Sequence, residues 1–231
     1  MPTALITGAN RGLGFEFTSQ YAAEGWRIFA ACRDPAGAIA LQNMPTALRD
    51  TISIISMDVT DSDSVRTAAA TLEEVAIDVL INSAGITGTS GQSTGHVDYT
   101  SWARVLKVNA MGPVRVLEAF TDCIARSERR LVVTITSGMG SLADNTSGGS
   151  IAYRSSKAAV NMVMRCAAID LAARRINCVL VNPGWVKTDM GGPSATLTPG
   201  ESVAAMRQLI EKLGPGDSGK FYHYDGREYP W

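Results

Sequence analysis

The segment TGANRGLG, residues 7–14, closes the apolar run Thr3–Thr7 and opens a helical pattern over 12–24. Its glycines, Gly8, Gly12 and Gly14, are spaced Gly-x3-Gly-x-Gly. Glycine enters left-handed backbone without steric cost and carries no Cβ to hold a ligand away from the main chain. The helix start behind them presents unpaired N–H groups and a partial positive charge. That combination suits a pyrophosphate. Three glycines alone mark no more than a tight turn. Their place at the first strand–helix crossing points to nucleotide binding.

Outward from this turn the chain alternates short apolar runs with longer amphipathic stretches. Strands are predicted at Thr3–Thr7, Arg27–Ala31, Ile52–Met57, Val79–Asn82, Leu131–Thr136 and Asn177–Asn182. Helices are predicted over 12–24, after Asp58 in DVTDSDSVRTAAATLEEV, over 98–125 and over 152–174. Strands alternating with helices make βαβ units and a parallel sheet, and continuously apolar strands suit burial on both faces. The expected fold is α/β: one Rossmann-type domain over residues 1–231, a doubly wound parallel sheet with helices on both faces. The stretches Ile86–Gly95 and Gly184–Gly200 read as loops, long enough to be functional.

Composition narrows the function. Apolar residues are 45% and charged residues 19% of 231, the balance of an ordinary folded chain. The net charge of −1 lacks the basic excess of a general nucleic-acid binder. No apolar run is long enough to span a membrane, and MPTALITGAN is not patterned as a secretory signal. The four cysteines, Cys32, Cys123, Cys166 and Cys178, form no CxxC pair and read as reduced thiols of a cytoplasmic protein. With two distant histidines, His96 and His223, no metal site is expected.

The end of the second strand discriminates between nicotinamide cofactors. An NAD site places an acid about 20 residues beyond the glycines, on the ribose 2′-OH. This chain has Cys32 and then Arg33 there. A guanidinium grips a 2′-phosphate that an acid would repel, and Arg11 in the glycine turn is a second cation for it. The alternative is that both arginines are solvated surface residues. Asp34 follows directly, with capping of the next turn as its simplest role. The balance favours NADP(H) over NAD(H).

Tyr153 and Lys157 are four residues apart, on one face of the predicted helix over 152–174. A tyrosine titrates near 10, and an adjacent ammonium favours its phenolate. Lowering that value by about three units takes roughly 4 kcal/mol. Ser137 ends the fifth strand, 16 residues before Tyr153, on the side where ligands bind in such folds. Asn109 is a polar residue in mid-helix, just before Gly112–Pro113. Taken singly, Ser137 is a strand-end cap and Asn109 a satisfied buried amide.

Together these residues carry a resemblance. TGANRGLG at 7–14, DV at 58–59, NSAG at 82–85, Asn109, Ser137, YRSSK at 153–157 and PGWVKT at 183–188 occur in the order of the short-chain dehydrogenase/reductase family. Over essentially its whole length the chain resembles that family. The CRD at 32–34, the Ser–Tyr interval with NTSGGSIAYRSSKAA, and the ending SGKFYHYDGREYPW are similar to its carbonyl-reductase branch of sniffer-like and C-factor-like proteins.

The resemblance implies a reductase of ketones, aldehydes or quinone-like carbonyls. Tyr153 would give a proton to the carbonyl oxygen, Lys157 would bind the nicotinamide ribose and tune Tyr153, and Ser137 would bond the substrate oxygen. Asn109 would hold a water leading to Lys157. Gly8, Asn10, Arg11, Gly12, Leu13 and Gly14 would cradle the cofactor phosphates. Asp58, Val59, Asn82, Ala84 and Gly85 would line the adenosine side. Val186 and Thr188 would contact the carboxamide and phosphates, and Pro183 and Gly184 would also bind the cofactor. NSAG carries Ser83 where an asparagine is common. A homodimer or homotetramer is implied too, as is, alternatively, an NADP-binding signalling protein of the C-factor type.

One rival is visible. GQSTG at 91–95 matches GxSxG of serine hydrolases and is followed by His96. A nucleophile elbow joins a strand to a helix sharply, whereas this motif lies in a Gly/Ser/Thr loop.

Overall fold

The computed structural model describes residues 1–231. The strands are β1 (Thr3–Thr7), β2 (Arg27–Cys32), β3 (Ile52–Ser56), β4 (Val79–Asn82), β5 (Leu131–Ile135), β6 (Asn177–Asn182) and β7 (Phe221–His223). The helices are α1 (Gly12–Ala23), α2 (Ile39–Gln42), α3 (Thr46–Arg49), α4 (Ser62–Ala70), α5 (Tyr99–Leu106), α6 (Gly112–Arg126), α7 (Ile151–Asp170) and α8 (Pro199–Lys212). All seven strands pair in parallel, in the order β3-β2-β1-β4-β5-β6-β7. The expected doubly wound Rossmann-type sheet is present.

Side chains alternate through the sheet and build a core on each face. From β1, Ala4 and Ile6 join Phe17 and Tyr21 of α1 and Met206 and Ile210 of α8. Leu5 points the other way, to Val65 of α4, Phe120 of α6 and Met164 of α7. Full burial of side chains of this size contributes about 1.5–3 kcal/mol each. Reversal of strand order on either side of β1 and β4 opens the crevice where such folds bind ligands.

Caps fix several helix starts. The Asp61 carboxylate accepts from the Asp63 N–H ahead of α4. Thr198 and Glu201 form a reciprocal capping box on α8.

Beyond the short α2 and α3, which were not expected, three further expectations need correction. The helix expected over 98–125 is broken: α5 and α6 are joined by a π turn at Lys107–Met111. Pro113 has no N–H for the Asn109 carbonyl four residues earlier, and its ring crowds that carbonyl. A wider turn relieves the conflict. Helix α8 occupies a stretch for which no helix was assigned, and β7 adds a seventh strand to the six expected. At three residues, ringed by Lys220, Tyr224 and Asp225, β7 is too short to show a periodicity.

Candidate active site

A cleft of about 1460 Å³ opens at the carboxyl ends of β1, β2 and β4. The turn between β1 and α1 forms its floor. Gly8 (φ +66°) and Gly12 (φ +54°) are left-handed. A Cβ on Gly8 would lie 2.9 Å from Ala84 Cα, and one on Gly14 would lie 2.3 Å from the Gly8 carbonyl oxygen. No side chain caps α1, so its first N–H groups face the cleft free. Thr7, which sequence reasoning passed over, joins the two central strands: its hydroxyl oxygen accepts from the N–H groups of Ser83 (3.0 Å) and Ala84 (3.1 Å). The glycine turn is thus a cradle that a side chain would fill, the size and polarity of a dinucleotide phosphate site.

Gly8, Asn10, Arg11, Gly12, Leu13 and Gly14 all line this cleft, as do Arg33, Asp58, Val59, Ala84 and Gly85. Arg33 is exposed and forms no ion pair. Asp34 is taken up by its own turn, its carboxylate accepting from the Gly37 N–H at 3.0 Å. Arg11 pairs with Asp189 at 3.1 Å across the mouth. Burial pushes the Asp58 carboxyl up, but bonds from Thr60 and the positive charges of Arg33 and Lys107 outweigh it and leave the value lowered. Asn82 is different: its amide lies beneath the cleft wall, donating to Thr134 Oγ1 at 3.3 Å. Its Oδ1 is buried without a partner.

Tyr153 and Lys157 lie one turn apart on α7. Lys157 is 6% exposed, and its ammonium donates to the Ile135 carbonyl at 2.9 Å and lies 5.7 Å from the Tyr153 ring centre. Burial drives its value down to about 8. Burial also raises the Tyr153 phenol, and a bond from Ser137 opposes that rise. In the protein alone each group is therefore pushed towards its neutral form. Ser137 caps the short turn Gly138–Gly140, its Oγ accepting from the Met139 N–H at 3.2 Å.

Asn109 sits in the π turn. Its Oδ1 accepts from the Ile86 N–H (2.9 Å), and its Nδ2 donates to the Ile86 carbonyl (2.8 Å) and to Ser156 Oγ (2.9 Å). One lone pair of Oδ1 is left over. A point just off Gly85 Cα lies 3.5 Å from that oxygen and 3.8 Å from Lys157 Nζ.

A second cavity of about 380 Å³ adjoins the cleft. Tyr153, Pro183 and Thr188 line both spaces, whereas Ser137, Gly184 and Val186 face only the smaller one. No Asp, Glu, Lys, Arg or His lines the smaller cavity. Its apolar walls include Met139, Met190 and Trp185, whose indole N–H donates to the Gly191 carbonyl at 2.8 Å. Leu142 stands outside it, exposed. Met190, in the loop 188–200, lines it as well, and so does Gln92, which was not singled out from the sequence. Gln92 lies in an irregular loop, where no periodicity points to a binding role.

The GQSTG motif lies in an irregular loop with no strand leading into Ser93 and no helix leaving it. The His96 N–H bonds the Ser93 carbonyl rather than offering its ring to the hydroxyl. No cluster of three or more His, Cys, Asp or Glu side chains is placed to hold a metal ion, and no helix is long and apolar enough to cross a membrane.

A parallel sheet whose switch point opens into a glycine-floored cleft defines a Rossmann-type nucleotide-binding protein. Residues 2–197 match the model of the short chain dehydrogenase family, and the chain belongs to that family, a family of oxidoreductases. It is 48% identical over 155 residues to the C-signal protein of Myxococcus xanthus, covering 67% of this chain and 93% of that one. Among solved structures it is similar to the NADPH-bound carbonyl reductase from chicken fatty liver, with 32% identity, a TM-score of 0.92 and coverage of 100% and 99%. The carbonyl reductase Sniffer of D. melanogaster is similar to the same degree, at 32% identity and a TM-score of 0.92, with both chains covered in full.

Proposed function

We propose that this oxidoreductase reduces uncharged carbonyl compounds (ketones, aldehydes or quinone-like substrates) to alcohols with NADPH, Tyr153 being the proton donor. One observation carries the reading: Tyr153 stands where a dinucleotide-sized cleft meets an uncharged cavity of small-molecule size.

When bound, NADPH supplies the hydride that reaches the carbonyl carbon. The protein's residues do the rest. The Ser137 hydroxyl bonds the carbonyl oxygen and orients it towards Tyr153. The Tyr153 phenol keeps its proton at neutral pH, because burial raises its value, and gives it to that oxygen as negative charge gathers there. Lys157, largely protonated below about pH 8, stabilises the phenolate left behind and binds the nicotinamide ribose. Asn109 holds a water beside Lys157 through its spare lone pair, a path for the returning proton. The glycine turn and the start of α1 would bind the pyrophosphate, and the unpaired Arg33 the 2′-phosphate, while Arg11 is engaged by Asp189. Apolar walls and the missing charge in the smaller cavity favour neutral substrates over keto acids, because an unpaired carboxylate there would lose its hydration.

A panel of carbonyl compounds, assayed with NADPH and NADH by loss of reduced-cofactor absorbance, tests this directly. Keto esters are expected to turn over faster than the matching keto acids. Tyr153→Phe is expected to cut turnover by about 10²–10⁴-fold, the usual worth of a positioned acid, with NADPH affinity unchanged. Full turnover in that variant would remove Tyr153 from the role.

The similarity to C-signal favours a second reading, an NADP-binding signalling protein in which turnover is secondary. Rescue of a deletion phenotype by the Tyr153→Phe protein would select it. In either reading the chain acts as a homodimer or homotetramer. The exposed Met162 and Ile169 share a stripe on α7, and light scattering measures the association.

A further inference from the structure

The face of α7 that carries Tyr153 and Lys157 continues one turn further, to Asn161. Asn161 is 3% exposed and far too deep to reach a substrate. Both ends of its amide are engaged. Its Oδ1 accepts from the Thr136 hydroxyl at 2.6 Å, and its Nδ2 donates to the Gly140 carbonyl at 3.4 Å. Those partners flank Ser137 on either side.

The loop between them has little freedom of its own. The Thr136 N–H extends the β5–β6 pairing by bonding the Val181 carbonyl at 2.9 Å. Gly138 is enclosed by Tyr229 Oη and Asn182 Nδ2, which a Cβ there would meet at 2.7 and 3.1 Å. Gly140 lies flush on α7, where a Cβ would come within 2.8 Å of the Lys157 backbone carbon. Asn161 is the one side chain that ties both ends of this arch to the helix bearing Tyr153 and Lys157.

We propose that Asn161 is a positioning residue, which sets the Ser137 hydroxyl against Tyr153 by clamping residues 136 and 140 onto α7. The proposal rests on the carbonyl-reductase reading, in which Ser137 bonds the substrate oxygen. Pinning of this kind matters because a displacement of about 1 Å at a reacting group costs up to about 100-fold in rate. Loss of the amide would leave the Thr136 hydroxyl and the Gly140 carbonyl buried without partners, and the arch would shift to find new ones.

A double-mutant cycle tests it. Asn161→Ala, Ser137→Ala and the combined variant are compared with the parent for kcat and KM on a carbonyl compound that the parent reduces, and for NADPH affinity by fluorescence titration. Asn161→Ala is expected to lower kcat by about 10- to 100-fold with NADPH affinity unchanged, and to add nothing further in the Ser137→Ala background. Should Asn161→Ala fail to fold, Thr136→Val removes one half of the clamp and is expected to show the same non-additivity with a smaller loss. An unchanged kcat, or a loss of equal size in both backgrounds, overturns the proposal. A parent protein that reduces no carbonyl compound overturns the reading beneath it instead, and the two failures are told apart before any variant is made.

Discussion

Arg33 is exposed at the end of β2, lines the cleft and has no carboxylate partner. A cation so placed gains most from a dianionic ligand, since charge-assisted bonds are worth more than neutral ones. Arg33→Ala is expected to weaken NADPH by about 1–3 kcal/mol while barely changing NADH. Titration of both cofactors checks this, and equal losses would remove the reason for choosing NADP(H).

Lys157 offers a second test at the same scale. Its value falls from 10.5 to about 8 on burial. Below pH 8 both folded and unfolded chains hold that proton, and the folded chain bears the full cost of the buried charge. Between about 8 and 10.5 the unfolded chain holds the proton and the folded one does not, so stability rises with pH. The cofactor-free parent should therefore gain on Lys157→Met, by on the order of 3 kcal/mol, across that window. Urea unfolding at several pH values measures the gain. Parallel pH curves for the two proteins would show that the ammonium is not desolvated.

Among the elements, the β1–α1 turn was the most legible in sequence, because its requirement is steric and local. Gly14 illustrates it: a methyl group there would collide with the Gly8 carbonyl oxygen at 2.3 Å. Gly14→Ala is expected to cost about 1–3 kcal/mol of stability, as overpacking does, and to weaken NADPH as α1 lifts from the turn. Thermal unfolding with and without NADPH separates the two effects.

The π turn shows the opposite case. Asn109 could be singled out as a polar residue in a helical pattern, and Pro113 as a disturbance. How the helix would resolve the conflict depended on its packing against α7 and the loop at Ile86. Helix α8 was passed over although Thr198–Glu201 carries a capping signature, because the Gly- and Pro-rich stretch before it drew the loop assignment onward.

Across the whole molecule, the last residues return to the catalytic side. The Tyr229 hydroxyl donates to the Asp144 carboxylate at 2.6 Å. The Trp231 main-chain oxygen accepts from the Ala143 N–H at 2.8 Å and from the Ser141 hydroxyl at 3.0 Å. The Tyr229 and Trp231 rings pack on Phe221 of β7, with centres 5.1 and 5.6 Å from it. The strap so formed closes the segment that follows Ser137. Removing residues 229–231 is expected to lower Tm by about 5–10 °C. It should also reduce turnover more than NADPH affinity, since the strap touches the Ser137 side of the site and not the glycine cradle. A loss confined to NADPH binding would contradict that placement.

Sequence by itself determined the alternation of strands and helices, the glycine turn, the pairing of Tyr153 with Lys157 and the cation after β2. Each is local: a periodicity, a steric need for glycine, a helical repeat of four, a short interval from a strand end. Tertiary structure alone decided that Asn82 lies under the cleft wall, that Val186 faces the smaller cavity, that Asn161 spans Ser137 and that the chain's end straps the catalytic loop. Those facts are contacts between segments distant in the chain. They are settled by packing and by the need of buried polar groups for partners, and neither leaves a repeat in the sequence.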